Sequence, residues 1–390
     1  MKKVYQIFCF ITFLSISLLF NPFSYAAQGI RIGNAEISPY AEIKVQYDDN
    51  VFLSSSDEKD DFIYTLTPGI GVDWPFRDNS LKLDYHVNIN RFLDNTSQDA
   101  VDHFASGTLD VPWRDVKFTF YDDFRRVFER PSTEDSDRVK RDDNRAGVTV
   151  ALERERLGVQ LGYENFIRNY RSIPAYDAYD RNDSLYSLML THQTFAKTKL
   201  LIEYDFGQIR YDQSTRSDSD YHQFLVGAIG ELTPKTTATI KTGYQIRDYE
   251  DGDQPDFDTG VLYADAVHRF SQKNALKISF ERTAYESTYG VNNFYRAENV
   301  TATFDHFFNT KLLGFLTGEY RINSYPRETT EGSETKKRED KYYSLGAGFK
   351  YYMKTWLSFK LHAEHITRDS NFGVYDYNEN LVTLTARAEF

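Results

Sequence analysis

The sequence predicts an all-β fold, a transmembrane antiparallel up-and-down β-barrel of about 18 strands, with 16 as the alternative. Three observations carry this. Segments of ten to fourteen residues alternate apolar and polar at period two from about Ile37 to the end. Short turns and long polar loops alternate between them, the connectivity of an outer-membrane barrel. Finally, 29 Tyr and 30 Phe among 390 residues sit beside a mean hydropathy of only -0.58. A wall that is apolar on one face alone reconciles aromatic abundance with low hydropathy, because only every second residue meets lipid.

The elements follow in order. Lys2 and Lys3 precede an apolar run from Val4 to Phe20, and Ser24-Tyr25-Ala26 ends it with small residues at the positions a cleavage site needs. Residues 1–26 are therefore expected to be a signal peptide and residues 27–390 the barrel. Cys9, the single Cys, lies inside the apolar run, so cleavage removes the only thiol. Disulfide scaffolds, thiol catalysis and thiolate metal sites are excluded with it.

Leu81 to Asn90 shows the alternation most clearly, with Leu81, Leu83, Tyr85, Val87 and Ile89 on one face and Lys82, Asp84, His86, Asn88 and Asn90 on the other. Such segments exceed the five or six residues usual in soluble sheets and match a tilted membrane-crossing strand. Short turns are expected at Arg77-Asp78-Asn79, Pro112–Asp115, Ala196–Thr198, Thr233–Lys235, Ser271–Asn274, Asn309–Lys311 and Lys354–Trp356. Long loops are expected at Asp49–Asp60, Glu129–Asp142, Arg171–Arg181, Gln213–Asp220, Glu250–Asp256 and Tyr325–Asp340. An even strand count leaves both ends in the periplasm. The terminal Phe390 resembles the signal read by the barrel assembly machinery of bacterial outer membranes.

The two faces predict different partners. Outward apolar residues should meet outer-membrane lipid and lipopolysaccharide, with Trp74, Trp113 and Trp356, all at short turns, forming a periplasmic aromatic girdle. The inward face carries Lys82, Lys117, Lys199, Lys241, Lys277, Lys350 and Lys360 together with Asp84, Glu164, Glu203, Asp205, Glu281 and Glu364. The lysines near the turns suggest a basic ring that would concentrate an anion. Hairpin geometry offers the competing reading, cross-strand pairing: Asp73 faces Lys82, and Asp110 faces Lys117. Lys350 and Lys360 are the exception, since they face each other with like charge.

A net charge of -12, from 58 acids and 46 bases, argues against a nucleic-acid partner. Four segments assigned to outer loops, Asp48–Asp61, Glu129–Asp143, Asp248–Asp258 and Arg327–Lys341, together carry -13, which leaves the wall close to neutral. The acidic run Glu250–Asp258 lacks the spacing of an EF-hand loop and reads as a solvated loop. No G-x-S-x-G, P-loop or H-E-x-x-H is present. His362 and His365, three apart on a strand, face opposite sides and cannot share a metal. No enzyme activity, metal or cofactor is expected.

Tyr47-Asp48-Asp49-Asn50-Val51-Phe52, followed by Asp61 to Ile70, resembles the opening of the putative beta-barrel porin 2 family. The resemblance implies an outer-membrane barrel and suggests association with exopolysaccharide or capsule systems, and so with polysaccharide and periplasmic export components. The expected function is thus a passive conduit for an exported polysaccharide. A general porin for small solutes is the alternative; it needs an inward-folded loop, and no loop looks long enough. A structural or adhesive barrel, the third reading, needs a plugged lumen.

Overall fold

The computed structural model describes residues 29–171, 173–250, 256–290 and 292–390. The expected signal peptide lies outside them. The strands are β1 (Ile30–Ile32), β2 (Ala35–Asp48), β3 (Asp61–Phe76), β4 (Asn79–Phe92), β5 (Ala100–Trp113), β6 (Val116–Glu129), β7 (Val139–Arg154), β8 (Leu157–Tyr170) and β9 (Arg181–Phe195). They continue as β10 (Thr198–Tyr211), β11 (Ser219–Thr233), β12 (Thr236–Tyr249), β13 (Phe257–Arg269), β14 (Asn274–Glu286), β15 (Phe294–Phe307), β16 (Leu312–Glu331), β17 (Glu334–Lys354), β18 (Leu357–Ser370) and β19 (Tyr377–Glu389).

Each of β2 to β19 pairs antiparallel with the next, and β19 pairs with β2 from Leu381↔Asp48 to Glu389↔Tyr40, closing an 18-strand barrel. Closure satisfies every strand edge, which a sheet in hydrocarbon requires. β1 is a short hairpin arm on β2, beneath the end of β19. Among the described residues no helix is long and apolar enough to cross a membrane.

The pleat sorts the residues as the alternation predicts. Leu83, Tyr85, Leu161, Leu188, Ile202, Phe224, Leu345 and Leu384 stand exposed on the outer wall. Trp74, Trp113 and Trp356 are also outward, at or beside the short turns, and Trp356 stacks on Phe390 at 5.6 Å. Twelve of the 18 barrel strands, at 13 or 14 residues, fall within the expected ten to fourteen; six are longer, up to 21 residues in β17, because pairing continues beyond the apolar band. The expected loop Tyr325–Asp340 is not a loop. β16 and β17 run through it, pairing Glu328↔Lys337 and Thr330↔Thr335 around Gly332, whose φ of 60° suits glycine. One face meets water and the other buries the charged Arg338 and Asp340 beside Tyr325, so no apolar alternation marked it.

Three inward tyrosines lie across glycines directly opposite them: Tyr40 over Gly69, Tyr121 over Gly147 and Tyr221 over Gly207. A Cβ on Gly207 would stand 2.0 Å from the Tyr221 ring, and one on Gly147 would stand 2.4 Å from Tyr121. Gly207→Ala is accordingly expected to destabilise the barrel by roughly 1–3 kcal/mol, the usual range for overpacking. Urea unfolding in detergent measures this, and adding Tyr221→Ala should recover part of the loss by vacating the space.

Candidate functional site

The inward charges organise into two levels. At the short-turn end, five of the seven lysines each meet an acid: Lys82–Asp73 at 3.9 Å, Lys117–Asp110 at 3.0 Å, Lys199–Glu153 at 2.7 Å, Lys241–Glu203 at 2.6 Å and Lys277–Asp305 at 3.0 Å. The register of Asp73 and Lys82 is the one the turn implies. Lys117 instead stands opposite Pro112, because the turn is Arg114-Asp115, and it reaches Asp110 diagonally. The lysines do not form one ring. Lys117 and Lys199 are the second residues of their strands and Lys241 the sixth, a stagger of about 14 Å along the strand at about 3.4 Å per residue. Lys350 and Lys360 face each other on β17 and β18.

The six inward acids are all engaged. Asp84 accepts from Tyr40 and His86, Glu164 from Tyr121 and Arg145, and Asp205 from Gln223. Glu203 bridges Lys241, Glu281 accepts from Tyr285 and Glu364 from Ser344.

Higher up, the same inward parity continues into arginines that the sequence analysis did not single out. Asp143 on β7 is the shared acceptor of Arg168 (2.8 Å), Arg125 (2.6 Å) and Arg141 (3.1 Å). Arg145 meets Glu164 at 2.8 Å, Arg181 meets Asp183 at 3.0 Å, and Arg247 meets Glu286. Arg141 and Asp143 were counted with an outer loop; they are buried wall residues, and as an opposite pair they leave the loops' net charge unchanged.

The segment between β6 and β7, residues 130–138, folds into the bore. Arg130 donates to the Val51 carbonyl at 2.6 Å, and Arg138 reaches Gln98 at 3.3 Å. Glu134 accepts from Ser287 Oγ at 2.5 Å and from the Thr288 amide at 3.0 Å. Asp135 accepts from Thr288 Oγ1 at 2.8 Å and from Tyr176 at 3.1 Å. Thr133 accepts at its carbonyl from Arg368 (2.8 Å) and at its hydroxyl from Asn323 (3.1 Å). Asn323 lies on β16, nine strands from β7 in a ring of 18, so the segment crosses to the opposite wall. This corrects the expectation that no loop could constrict the lumen: a short segment suffices when its anchors are hydrogen bonds across the bore rather than its own length. A cavity of about 400 Å³ lies against it, lined by Pro131, Ser132 and Thr133 and by the arginine wall.

Burial, reinforced by the adjacent Asp135, pushes the Glu134 carboxyl up to about 7, and burial also raises Asp135. Ser287, Thr288 and Arg338 act the other way on Glu134. A raised carboxyl binds a proton more tightly when docked than when free, so the docked state is fully favoured below the ordinary carboxyl value. It weakens as pH rises from there through about 7, by roughly 3 kcal/mol in all. Channel opening in planar bilayers should therefore increase between pH 5 and pH 8, and Glu134→Gln should flatten that response; an unchanged profile in the Gln variant would refute the assignment.

His362 points inward towards Phe315, while His365 is outward and hydrogen-bonds Asn380, as expected for two faces. Among the described residues no group of three or more His, Cys, Asp or Glu could hold a metal. The acidic run is described only at its ends, residues 251–255 lying outside the described residues.

No curated protein matches the chain in sequence. Solved structures share its fold at low identity. OccAB4 of Acinetobacter baumannii is 12% identical with a TM-score of 0.52, covering 92% of this chain and 98% of its own. A BenF-like porin from Pseudomonas fluorescens Pf-5 is 11% identical at 0.52, covering 92% and 100%. The outer membrane protein opdK from Pseudomonas aeruginosa is 11% identical at 0.50, covering 91% and 99%. With a closed 18-strand barrel, a polar lumen and a match of residues 21–390 to the model described as "Putative beta-barrel porin 2", the chain belongs to that family of outer-membrane porins.

Proposed function

We propose that the protein is a diffusion channel for small polar solutes across the outer membrane. The observation that carries this reading is the 130–138 segment lying across the bore and hydrogen-bonded to Asn323 and Arg368 on the far wall. A constriction centred on one loop, braced by Val51, Gln98, Tyr176, Ser287 and Thr288 of other inter-strand segments, sieves by size while the wall below it stays polar. The same observation counts against the polysaccharide conduit, since a polymer strand would have to displace the segment from all its anchors at once.

Liposome swelling tests the choice. Monosaccharides and small organic acids should enter at rates that fall steeply with solute size. Passage of a long acidic polysaccharide, with small sugars excluded, would reverse the reading in favour of export. No permeation of any solute would sink both.

A further inference from the structure

Five inward lysines are neutralised by acids one to three strands away, but three are not. Lys350, Lys360 and Lys44 have no carboxylate within ion-pair distance among the described residues. They occupy one row of the sheet. Lys350 pairs with Lys360, Lys360 with Thr385, and Thr385 with Lys44, so three ammonium groups and a hydroxyl stand side by side on β17, β18, β19 and β2. At about 4.8 Å between strands the row spans about 14 Å, within the converging reach of flexible lysine stems.

Two of the three cations rest against rings rather than acids. Lys350 Nζ sits 4.9 Å from the Tyr352 ring centre and Lys360 Nζ 5.1 Å from that of Phe315. Just below, Arg387 sits 4.3 Å from the ring centre of Tyr40. A ring face positions a cation without cancelling its charge, whereas a carboxylate does both. The nearby acids Glu42 and Glu389 are engaged by Arg387, at 3.8 Å and 3.2 Å. Directly opposed like charges destabilise a sheet. A wall that pairs its lysines elsewhere but leaves this row without contacting acids presents uncancelled positive charge to the lumen.

We propose that the inward row Lys350–Lys360–Thr385–Lys44, flanked by Arg387, is a binding station for small oxyanions, carboxylates or phosphates, in transit through the lumen. The proposal rests on the diffusion-channel reading and names its substrate class. A station of this kind raises the local concentration of permeant anions and is screened by salt.

Isothermal titration of the folded, full-length barrel in detergent, at low ionic strength, tests it with inorganic phosphate and with succinate as separate ligands. The triple variant Lys44→Gln/Lys350→Gln/Lys360→Gln should bind about tenfold more weakly or not at all, and added NaCl should weaken the wild type. Lys235→Gln, at an exposed short turn, should leave binding unchanged and controls for net charge. Equal affinity for both ligands assigns a general oxyanion site, and a preference assigns the preferred class. Lys360→Gln alone, which relieves like-charge opposition and so keeps the fold, should weaken binding about threefold. Equal binding by wild type and both variants, or none by the wild type, overturns the station whatever the bilayer conductance. Intact binding with no conductance would overturn only the channel reading.

Discussion

Replacing residues 131–137 with two glycines is expected to raise single-channel conductance several-fold and to abolish most closing events. The segment's anchors are hydrogen bonds from Ser287, Thr288, Asn323 and Arg368, each of which regains water when the segment leaves. Net loss per bond is then only about 1 kcal/mol. The barrel wall itself is held by the pairing of β6 with β7, from Val116↔Leu152 to Glu129↔Val139, which the deletion does not touch. Folding should therefore survive, seen as retained heat-modifiable migration, while the size limit in liposome swelling rises. Unchanged conductance in a folded deletion variant would show that the segment is not the constriction and would withdraw the main support for a sieving porin. Shortening the loop without breaking the ladder is the cleanest separation of wall from gate.

The wall was legible because lipid and water select side chains at every second position. Lys82, Asp84 and His86 inward, with Leu83 and Tyr85 outward, required only the pleat. The opposition of Lys350 and Lys360 likewise followed from counting back from the turn at Thr355. Above the apolar band that selection ends, since both faces meet water or protein. There Glu328 pairs with Lys337 and Arg141 lies beside Asp143, yet both stretches read as loop. Continuing the inward parity of Asp123 to Arg125, or of Glu164 to Arg168, would have found the arginines. Nothing in Pro131-Ser132-Thr133-Glu134-Asp135 could have announced its course, because the direction a polar loop takes depends on partners more than 150 residues away, such as Ser287. Composition alone cannot distinguish a carboxylate bathed in solvent from one buried against a hydroxyl.

Asp143→Ala is expected to be the most damaging single substitution in the wall. Asp143 is 2% exposed and takes Arg168 through two nitrogens, at 2.8 and 3.1 Å, while also accepting from Arg125 and Arg141. Arg125 and Arg141 retain Glu129, at 3.9 and 2.5 Å. Arg168 has no second acid within ion-pair distance among the described residues; it keeps the Phe166 ring, 5.3 Å away, and only the longer-range pull of Asp183, which Arg181 already engages. Removing the carboxylate leaves a desolvated guanidinium without a counter-charge in contact, a loss of about 3–5 kcal/mol for a buried pair broken on one side. Asp143→Asn should do nearly as much harm despite its similar shape, because the missing quantity is charge. Adding Arg168→Met to Asp143→Ala removes the orphaned cation and should recover most of the stability, read from urea midpoints in detergent. If Asp143→Ala costs under about 1 kcal/mol, the arginine wall is solvated like an exposed pair, and the network beneath the constriction is wet. A large cost with rescue shows instead that the wall carries its own dry electrostatic brace. The positive groups freed in Asp143→Asn would then face the cavity, and a shift towards anion selectivity should accompany the lost stability.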